Sequence, residues 1–202
     1  MKHEGAIPGL PPASLGVTLN DEQLSLLGRF ETLLREIAIP SGFVAASDAP
    51  RLRERHLWDC LRVASVLRQD ERTAHDLGSG AGLPGVVVAI ACPWLQITLV
   101  ESRRARVAFL ELALERLCLP NTKVYAGRVQ DLSEPVDVCL ARAFADAAAS
   151  WRAAEPLLAP GGRLVYFAGQ GSDRLQLPSH LVVSKVASTL ARSGPLVIMS
   201  RQ

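Results

Sequence analysis

Short strand-like segments alternate with helical ones from Thr73 to the end of the chain, and this alternation limits the possible folds more than any other feature. Segments such as TAHDLG and QITLVE alternate with helical ones such as RARVAFLELALERLCL. This order is typical of a parallel sheet covered by helices, because parallel neighbours need a long crossover connection. The last two strand-like segments, HLVVSKVA and PLVIMSRQ, have only a short connection between them. They are therefore predicted to pair antiparallel.

The part of the chain before Thr73 is predicted to be helical. Apolar residues recur at helical spacing in residues 20–39 and again in residues 51–69, and either Asn20 or Asp21 can cap the first helix. A length of 202 residues suits one domain with a sizeable core. We expect residues 1–70 to form an N-terminal extension and helices that pack on the core. Residues 71–202 are expected to form that core as one compact unit.

Composition excludes several classes of protein. The net charge is only +2, so the chain as a whole has no basic field that would indicate nucleic acid. Its four cysteines are scattered without metal-ligand or disulfide spacing, which predicts no metal site and fits a reducing compartment. The longest apolar run, residues 86–92, is too short to cross a bilayer, and no signal-peptide core precedes it. We expect a cytoplasmic protein that is not bound to a membrane.

A glycine-rich loop follows the first strand-like segment, in the stretch HDLGSGAGLPGVVVAI. Residues 80–85 match G-x-G-x-x-G, which is weak evidence alone. Glu101, at the end of the next strand, can accept both ribose hydroxyls of a nucleoside, in nicotinamide enzymes and in methyltransferases alike. Asp76 would repel a pyrophosphate but attract the ammonium or sulfonium group of S-adenosylmethionine. The loop therefore favours S-adenosylmethionine, with a nicotinamide dinucleotide or a plain strand-to-helix turn as the alternatives.

Several longer motifs occur in a fixed order: ERHLWDCL, DLGSGAGLPGVVVAI, VESRRARVAFLELALERLCLPN, GRVQDL, LARAFA and GGRLVYFAGQ. Together they resemble the bacterial glucose-inhibited division protein B family, the small-subunit ribosomal RNA (guanine-N7) methyltransferases. The resemblance covers roughly residues 51–170. It implies a Rossmann-like, S-adenosylmethionine-dependent methyltransferase fold that transfers a methyl group to N7 of a guanine in 16S ribosomal RNA. The implied partner is that RNA or a precursor of the small ribosomal subunit.

The loop and the resemblance together supply the expected cofactor-binding residues. Leu83 could serve the core as well as the cofactor, and Gln130 could be an exposed loop residue. The expected set is Asp76, Gly78, Gly80, Leu83, Glu101, Ser102, Arg103, Val129, Gln130 and Arg142.

Arg142 is the expected catalytic residue. It follows the fourth strand of the core, at the edge where open α/β sheets bind ligands, and its apolar neighbours imply that the guanidinium needs a polar partner. It would orient the guanine or clamp the cofactor, unless it forms a structural ion pair. The N7 atom of guanine already has a lone pair, so we expect alignment rather than a general base to drive transfer.

Basic residues near the motifs are candidates for RNA contact, although surface arginines commonly face only solvent. His56 shares a helix face with Asp59, where the two would line the target pocket or tie the helix to the core. The candidates are Arg51, Arg53, Arg55, His56, Arg62, Arg104 and Arg106, with Arg103 as a further phosphate contact.

Three segments depart from the family pattern. GFVAAS stands where the family has an NLT segment, Ala168 replaces a lysine before GQ, and SGPLVIM replaces RHLVV in the last strand. These departures concern RNA contacts more than the cofactor. They motivate two alternatives, a catalytically impaired nucleic-acid-binding relative and a methyltransferase acting on a small molecule.

Overall fold

A computed structural model describes residues 13–170, 175, 177–191 and 193–202. The Pro- and Gly-rich start of the predicted extension lies outside these residues. The described strands are β1 (Thr73–Leu77), β2 (Gln96–Glu101), β3 (Thr122–Ala126), β4 (Val136–Ala141), β5 (Leu158–Phe167), β6 (Leu181–Val186) and β7 (Leu196–Arg201). The described α-helices are α1 (Asp21–Leu33), α2 (Asp59–Leu61), α3 (Gly85–Ala91), α4 (Arg104–Leu117) and α5 (Ala147–Ala154).

The described strands form one sheet in the order β3-β2-β1-β4-β5-β7-β6. Strands β1 to β5 pair in parallel, whereas β7 pairs antiparallel with both β5 and β6. The predicted parallel sheet and its antiparallel C-terminal pair are both confirmed. This is the Rossmann-like arrangement that the sequence predicted.

Helices cover both faces of the sheet. Successive residues of a strand face opposite sides, so Leu140 joins one apolar cluster and Cys139 the other. The first cluster also contains Phe30 of α1 and Leu110 of α4, and the second is built around Trp151 of α5. The N-terminal helix therefore shares its core with the strands that carry the glycine loop.

The start of α1 is set by a capping box. The Asn20 side chain accepts a hydrogen bond from the Gln23 amide at 2.8 Å, and the Gln23 side chain accepts one from the Asn20 amide at 3.0 Å. Of the two caps that the sequence allowed, Asn20 is the one used. The Gln23 side chain also donates to the carbonyls of Ile90 and Ala91, which joins α1 to the end of α3.

The second predicted helix, over residues 51–69, is wrong in its detail. A 3-10 turn (Ala46–Arg51) leads into a π-helical segment (Arg53–Trp58), and α2 follows for a single turn. Residues 56–63 are all buried, whereas apolar residues at helical spacing predict burial of one face only. A segment enclosed on every side takes its geometry from its neighbours more than from its own periodicity.

Candidate functional site

The site lies at the carboxyl ends of β1 and β4. Strand β1 pairs with β2 on one side and β4 on the other, so the chain changes direction across the sheet at this point. Open α/β sheets bind ligands in the crevice that such a reversal creates. Here the crevice is bordered by the loop after Leu77 and by the turn after Ala141.

The loop after β1 turns sharply at three glycines. Gly78, Gly80 and Gly82 have φ angles of +68°, +59° and +80°, a region that glycine adopts at little cost. Ser79 pins the loop, since its amide donates to the Val100 carbonyl at 2.9 Å and its hydroxyl donates to the Asp76 carbonyl at 3.0 Å. The backbone path alone therefore favours glycine at these three positions.

The loop glycines differ in what lies next to them. A Cβ atom on Gly82 would lie 2.7 Å from the Val86 side chain, and one on Gly85 would lie 2.6 Å from Asp76 Oδ2. These two glycines allow α3 to pack closely under the loop. A Cβ atom on Gly80 would meet nothing closer than Arg106 Nη1 at 3.7 Å and the Gly78 carbonyl at 3.8 Å, and Gly80 borders a cavity.

Two cavities meet at Gly78. The first, which we call the Arg142 cavity, has a volume of about 240 Å³ and is bordered by residues 78–81, Arg142 and residues 43–45. The second, the Glu101 cavity, has a volume of about 210 Å³ and is bordered by residues 127–130 and Glu101. The two cavities share Gly78 as a lining residue, so they lie on either side of the glycine turn. Eight of the ten expected cofactor residues border one of these cavities, Arg103 follows Ser102 without bordering either, and Asp76 lies beneath the loop.

Glu101 organises the loops around the second cavity. Its Oε1 accepts hydrogen bonds from the amides of Ser102 and Arg103, each at 2.9 Å, and its Oε2 accepts one from Gly80 at 3.1 Å. Arg106 Nη1 lies 3.8 Å from Oε2. The carboxylate thus joins the glycine loop to the start of α4 while it borders the cavity.

Val129 and Gln130 follow β3 and border the same cavity. Val129 is buried and begins a 3-10 turn (Val129–Asp131), whereas Gln130 is exposed. Leu83 borders the Arg142 cavity and also belongs to the core, so it occupies both of the positions expected for it. The sequence-predicted residues after β1, β2 and β3 are therefore brought together at one edge.

Asp76 is buried beneath the loop and does not border either cavity. Its Oδ2 accepts a hydrogen bond from the Gly85 amide at 3.0 Å, at the start of α3. Its Oδ1 has no hydrogen-bond partner among the described residues. Burial raises the pKa of Asp76 to about 7, against the opposing effects of the nearby Ser79 hydroxyl and of the Gly85 amide. Its direct contact with a cofactor stays a prediction.

Arg142 has the polar partners that its apolar surroundings demanded. Its Nη2 donates to His56 Nδ1 at 2.9 Å and to the Arg55 carbonyl at 3.2 Å, and its Nε lies 3.6 Å from Asp59 Oδ2. The guanidinium also lies over the ring of Phe167, 5.9 Å from its centroid. His56 borders the cavity and ties its segment to β4, so the two roles considered for it coincide.

The predicted RNA contacts fall into two groups. Arg62 is 5% exposed and donates to Asp59 at 2.7 Å, so its assignment as a phosphate contact is wrong. Arg53 donates to Glu31 and lies over the Trp58 ring, so its guanidinium links the π-helical segment to α1. Arg62 lies in the buried stretch of residues 56–63, whereas Arg53 is partly exposed and is held by Glu31.

The other arginines stand at the carboxyl edge of the sheet or near it. Arg103 and Arg104 are exposed at the start of α4, and Arg106 lies over the Phe43 ring at the wall of the Arg142 cavity. Arg55 is half-exposed and pairs with Asp48 at 3.2 Å, and Arg51 is partly buried. These positions leave the RNA role of each as a prediction.

Sequence analysis missed several residues of the site. The departing segment GFVAAS supplies Phe43, Val44 and Ala45 to the wall of the Arg142 cavity. Phe144 packs against Gly78, where an added Cβ would lie 2.7 Å from its ring. The aromatic residue two positions after Arg142 was the available signal, because residues at the end of β4 meet the loop after β1.

Ala168 follows β5 and is buried. Its amide donates to the Pro195 carbonyl at 3.1 Å, beside the turn that leads into β7.

In the part of the chain that the structure describes, no three His, Cys, Asp or Glu side chains are placed to hold a metal ion. None of the described helices has the length and apolar character needed to cross a membrane.

Comparison with known proteins identifies a family. The model of the GidB family, described as rRNA small subunit methyltransferase G, matches residues 23–186. A relative of that name from Salinispora tropica is 40% identical over 179 residues, covering 82% of this chain and 73% of the relative. One from Thermobifida fusca is 37% identical, covering 80% and 69%. One from Nocardioides sp. is 39% identical, covering 93% and 70%.

Solved structures share the fold at low sequence identity. A SAM-dependent methyltransferase from Aquifex aeolicus aligns with a TM-score of 0.60 and 16% identity, covering 79% of this chain and 97% of that one. A variant of MtNAS in complex with S-adenosylmethionine aligns with a TM-score of 0.56 and 15% identity, covering 89% and 76%. At such identities the likeness extends to the fold.

Proposed function

Because the chain belongs to the rRNA small subunit methyltransferase G family, we propose that it methylates N7 of a guanine in 16S ribosomal RNA. The methyl donor is S-adenosylmethionine. The observation that carries the proposal is Arg142, held at the carboxyl edge of the sheet beside the glycine loop, in a chain matched by that family over residues 23–186.

The two cavities suit the two parts of the cofactor. The Glu101 carboxylate can accept ribose hydroxyls, and residues 129–130 would contact the adenine. The methionine part would pass Gly78 and Gly80 towards the Arg142 cavity. Asp76 lies beneath the glycine loop, where a bound sulfonium or ammonium group would favour the ionised form of its carboxyl group.

The reaction at N7 requires alignment more than proton transfer. The N7 lone pair attacks the methyl carbon, the carbon–sulfur bond breaks, and its electron pair neutralises the sulfonium. Because no proton leaves N7, the residues around the cavity need only hold the base in line and exclude water. Arg142 would orient the base, and Leu83 and Phe43 supply apolar wall.

The RNA would reach this site at the arginine-rich edge. Arg103 and Arg104 are exposed at the start of α4, whose first turn carries no acidic residue. Such a surface favours phosphates, and an accessible loop guanine suits the site better than one stacked in a helix. We propose naked 16S ribosomal RNA or a small-subunit precursor as the substrate, and the cytoplasm as the place of the reaction.

The decisive experiment measures methyl transfer from labelled S-adenosylmethionine. Ribosomal RNA and small-subunit particles from a strain that lacks the modification would be incubated with the protein and then digested to nucleosides. We expect label in 7-methylguanosine at one position, and a loss of labelling in a Glu101→Ala variant at limiting cofactor. If a folded, cofactor-saturated protein labels no guanine, the catalytically impaired relative becomes the better description.

A further inference from the structure

A chain of polar contacts runs behind the wall of the Arg142 cavity. Asp48 Oδ2 lies 2.9 Å from His56 Nε2, and His56 Nδ1 lies 2.9 Å from Arg142 Nη2. Arg142 Nε in turn lies 3.6 Å from Asp59 Oδ2. These contacts link the turn at residues 46–51, the segment at residues 53–61 and the end of β4.

Donor and acceptor chemistry settles the protonation of His56. A guanidinium only donates, so His56 Nδ1 must accept from Arg142 and carries no proton. The ring proton is then on Nε2, where it donates to the Asp48 carboxylate. Burial, followed by the positive charge of Arg142, lowers the pKa of His56 from its ordinary value of 6.5, against the raising effect of Asp48. His56 is thus a neutral acceptor with one defined tautomer.

The same contacts engage two of the three nitrogens of the Arg142 guanidinium. Nη2 is shared between His56 Nδ1 and the Arg55 carbonyl, and Nε faces Asp59. The third nitrogen, Nη1, has no hydrogen-bond partner among the described residues, and Arg142 borders the cavity. One nitrogen of the three is therefore left for a ligand.

This arrangement matters because of how arginine usually binds guanine. A free guanidinium fork donates to both O6 and N7. A hydrogen bond to N7 would occupy the lone pair that must attack the methyl group. An arginine whose Nη2 and Nε are held by the protein can donate to O6 through Nη1 and leave N7 free.

We infer that Asp48 and His56 are positioning residues. They hold Arg142 so that only its Nη1 atom can bind the base, which lets it donate to O6 of the guanine and leaves N7 available for methylation. This inference rests on the proposed function and extends it to Asp48, which does not border the cavity, and to His56, which acts through Arg142. Protonation of His56 removes the acceptor and places a second positive charge beside Arg142. The charged groups that act on His56 are Arg142, Asp48 and Arg55, and Arg106 borders the same cavity.

Two His56 variants separate positioning from mere packing. His56→Leu keeps most of the volume and removes the acceptor, so we expect kcat to fall by about tenfold or more, with cofactor affinity nearly unchanged. His56→Asn keeps an amide oxygen near the position of Nδ1 and cannot titrate, so it should recover most of the activity. The matched control is His180→Asn, at an exposed histidine distant in sequence from the site.

The pH profile gives a readout that packing would not change. In the wild-type protein kcat should fall as pH drops through the pKa of His56, below 6.5, because the protonated ring cannot accept. The His56→Asn variant should lack this acid limb. Full activity in a folded His56→Leu variant, or an acid limb that persists in His56→Asn, would overturn the inference.

A measurement without turnover separates this inference from the proposed function. In ¹⁵N-histidine NMR spectra, His56 should show the Nε2–H tautomer, and its pKa should rise when Arg142→Leu removes the neighbouring cation. Asp48→Asn should weaken the preference for that tautomer, because an amide can donate as well as accept. An Nδ1–H tautomer or an unmoved pKa contradicts the positioning role, whereas failure to label guanine contradicts only the proposed function.

Discussion

At the scale of single residues, two carboxylates beside the same loop differ because their surroundings differ. Glu101 accepts hydrogen bonds from three backbone amides and has Arg106 nearby. Asp76 is more deeply enclosed, and one of its oxygens has no hydrogen-bond partner among the described residues. The sequence selected both residues by type and position. Only their contacts show that Glu101 joins two loops as a hydrogen-bond acceptor, whereas burial raises the pKa of Asp76.

Asp76 should make stability depend on pH. Its folded-state pKa of about 7 lies above the ordinary 3.8, so it contributes stability that is present at low pH and lost as pH rises towards and through 7. The loss is on the order of 4 kcal/mol for a shift of about three units. Asp76→Asn cannot ionise and can still accept from Gly85. We expect its free energy of unfolding, relative to wild type, to increase from pH 5 to pH 8 in urea titrations; an equal difference at both ends would contradict this.

At the scale of elements, the glycines in the loop between β1 and α3 have two different roles. Some allow close packing, and another leaves space for a ligand. Gly82 and Gly85 lie against protein atoms, and Gly80 opens towards the Arg142 cavity. The fingerprint in the sequence does not separate these roles, because the spacing of glycines specifies where the backbone turns and not what it turns against. The turn after β4 completes the unit by bringing Phe144 onto Gly78.

Replacing one packing glycine should destabilise the protein, whereas an open helical glycine should tolerate the same change. Gly85→Ala would push a methyl group into Asp76 and Leu99, so we expect the free energy of unfolding to fall by about 1–3 kcal/mol. Gly28→Ala, in α1 with no atom within 4 Å of the new Cβ, should raise it by about 0.5–1 kcal/mol. Thermal and urea unfolding would measure both, and a Gly85→Ala protein as stable as wild type would refute the packing role.

At the scale of the whole molecule, arginines are divided between internal support and surface. Arg62 and Arg163 are buried in pairs with Asp59 and Glu71, and both also donate to backbone carbonyls of other segments, those of Val186 and Val66. Arg104 is exposed at the start of α4. A net charge of +2 conceals this division, since it is local clustering at one edge that would attract RNA.

Position along α4 should decide whether an arginine contributes to RNA binding. Arg104 and Arg116 are both exposed, at opposite ends of the helix and about 18 Å apart along its axis. Arg104→Gln should reduce the slope of log affinity against log salt by about 0.7–0.9, the value for one lost phosphate contact. Arg116→Gln should leave that slope unchanged. Equal slopes for Arg104→Gln and wild type would remove Arg104 from the RNA surface.

The sequence by itself determined the sheet, the glycine turn and the family, because these depend on local periodicity, turn chemistry and motif order. The alternation after Thr73 predicted the parallel strands, and the short final connection predicted the antiparallel pair. Asp76, Glu101 and Arg142 could be selected since parallel strands end at the same edge.

Only the tertiary structure decided what each side chain meets. It buried Arg62, one of the basic residues near the motifs that were candidates for RNA contact, and it brought Asp48 to His56 and His56 to Arg142 from separate elements. It also placed Phe43, from a segment that departs from the family pattern, at the cavity wall. Such contacts join residues far apart in the chain, and their free energies depend on burial and neighbouring charge, which no local pattern in the sequence records.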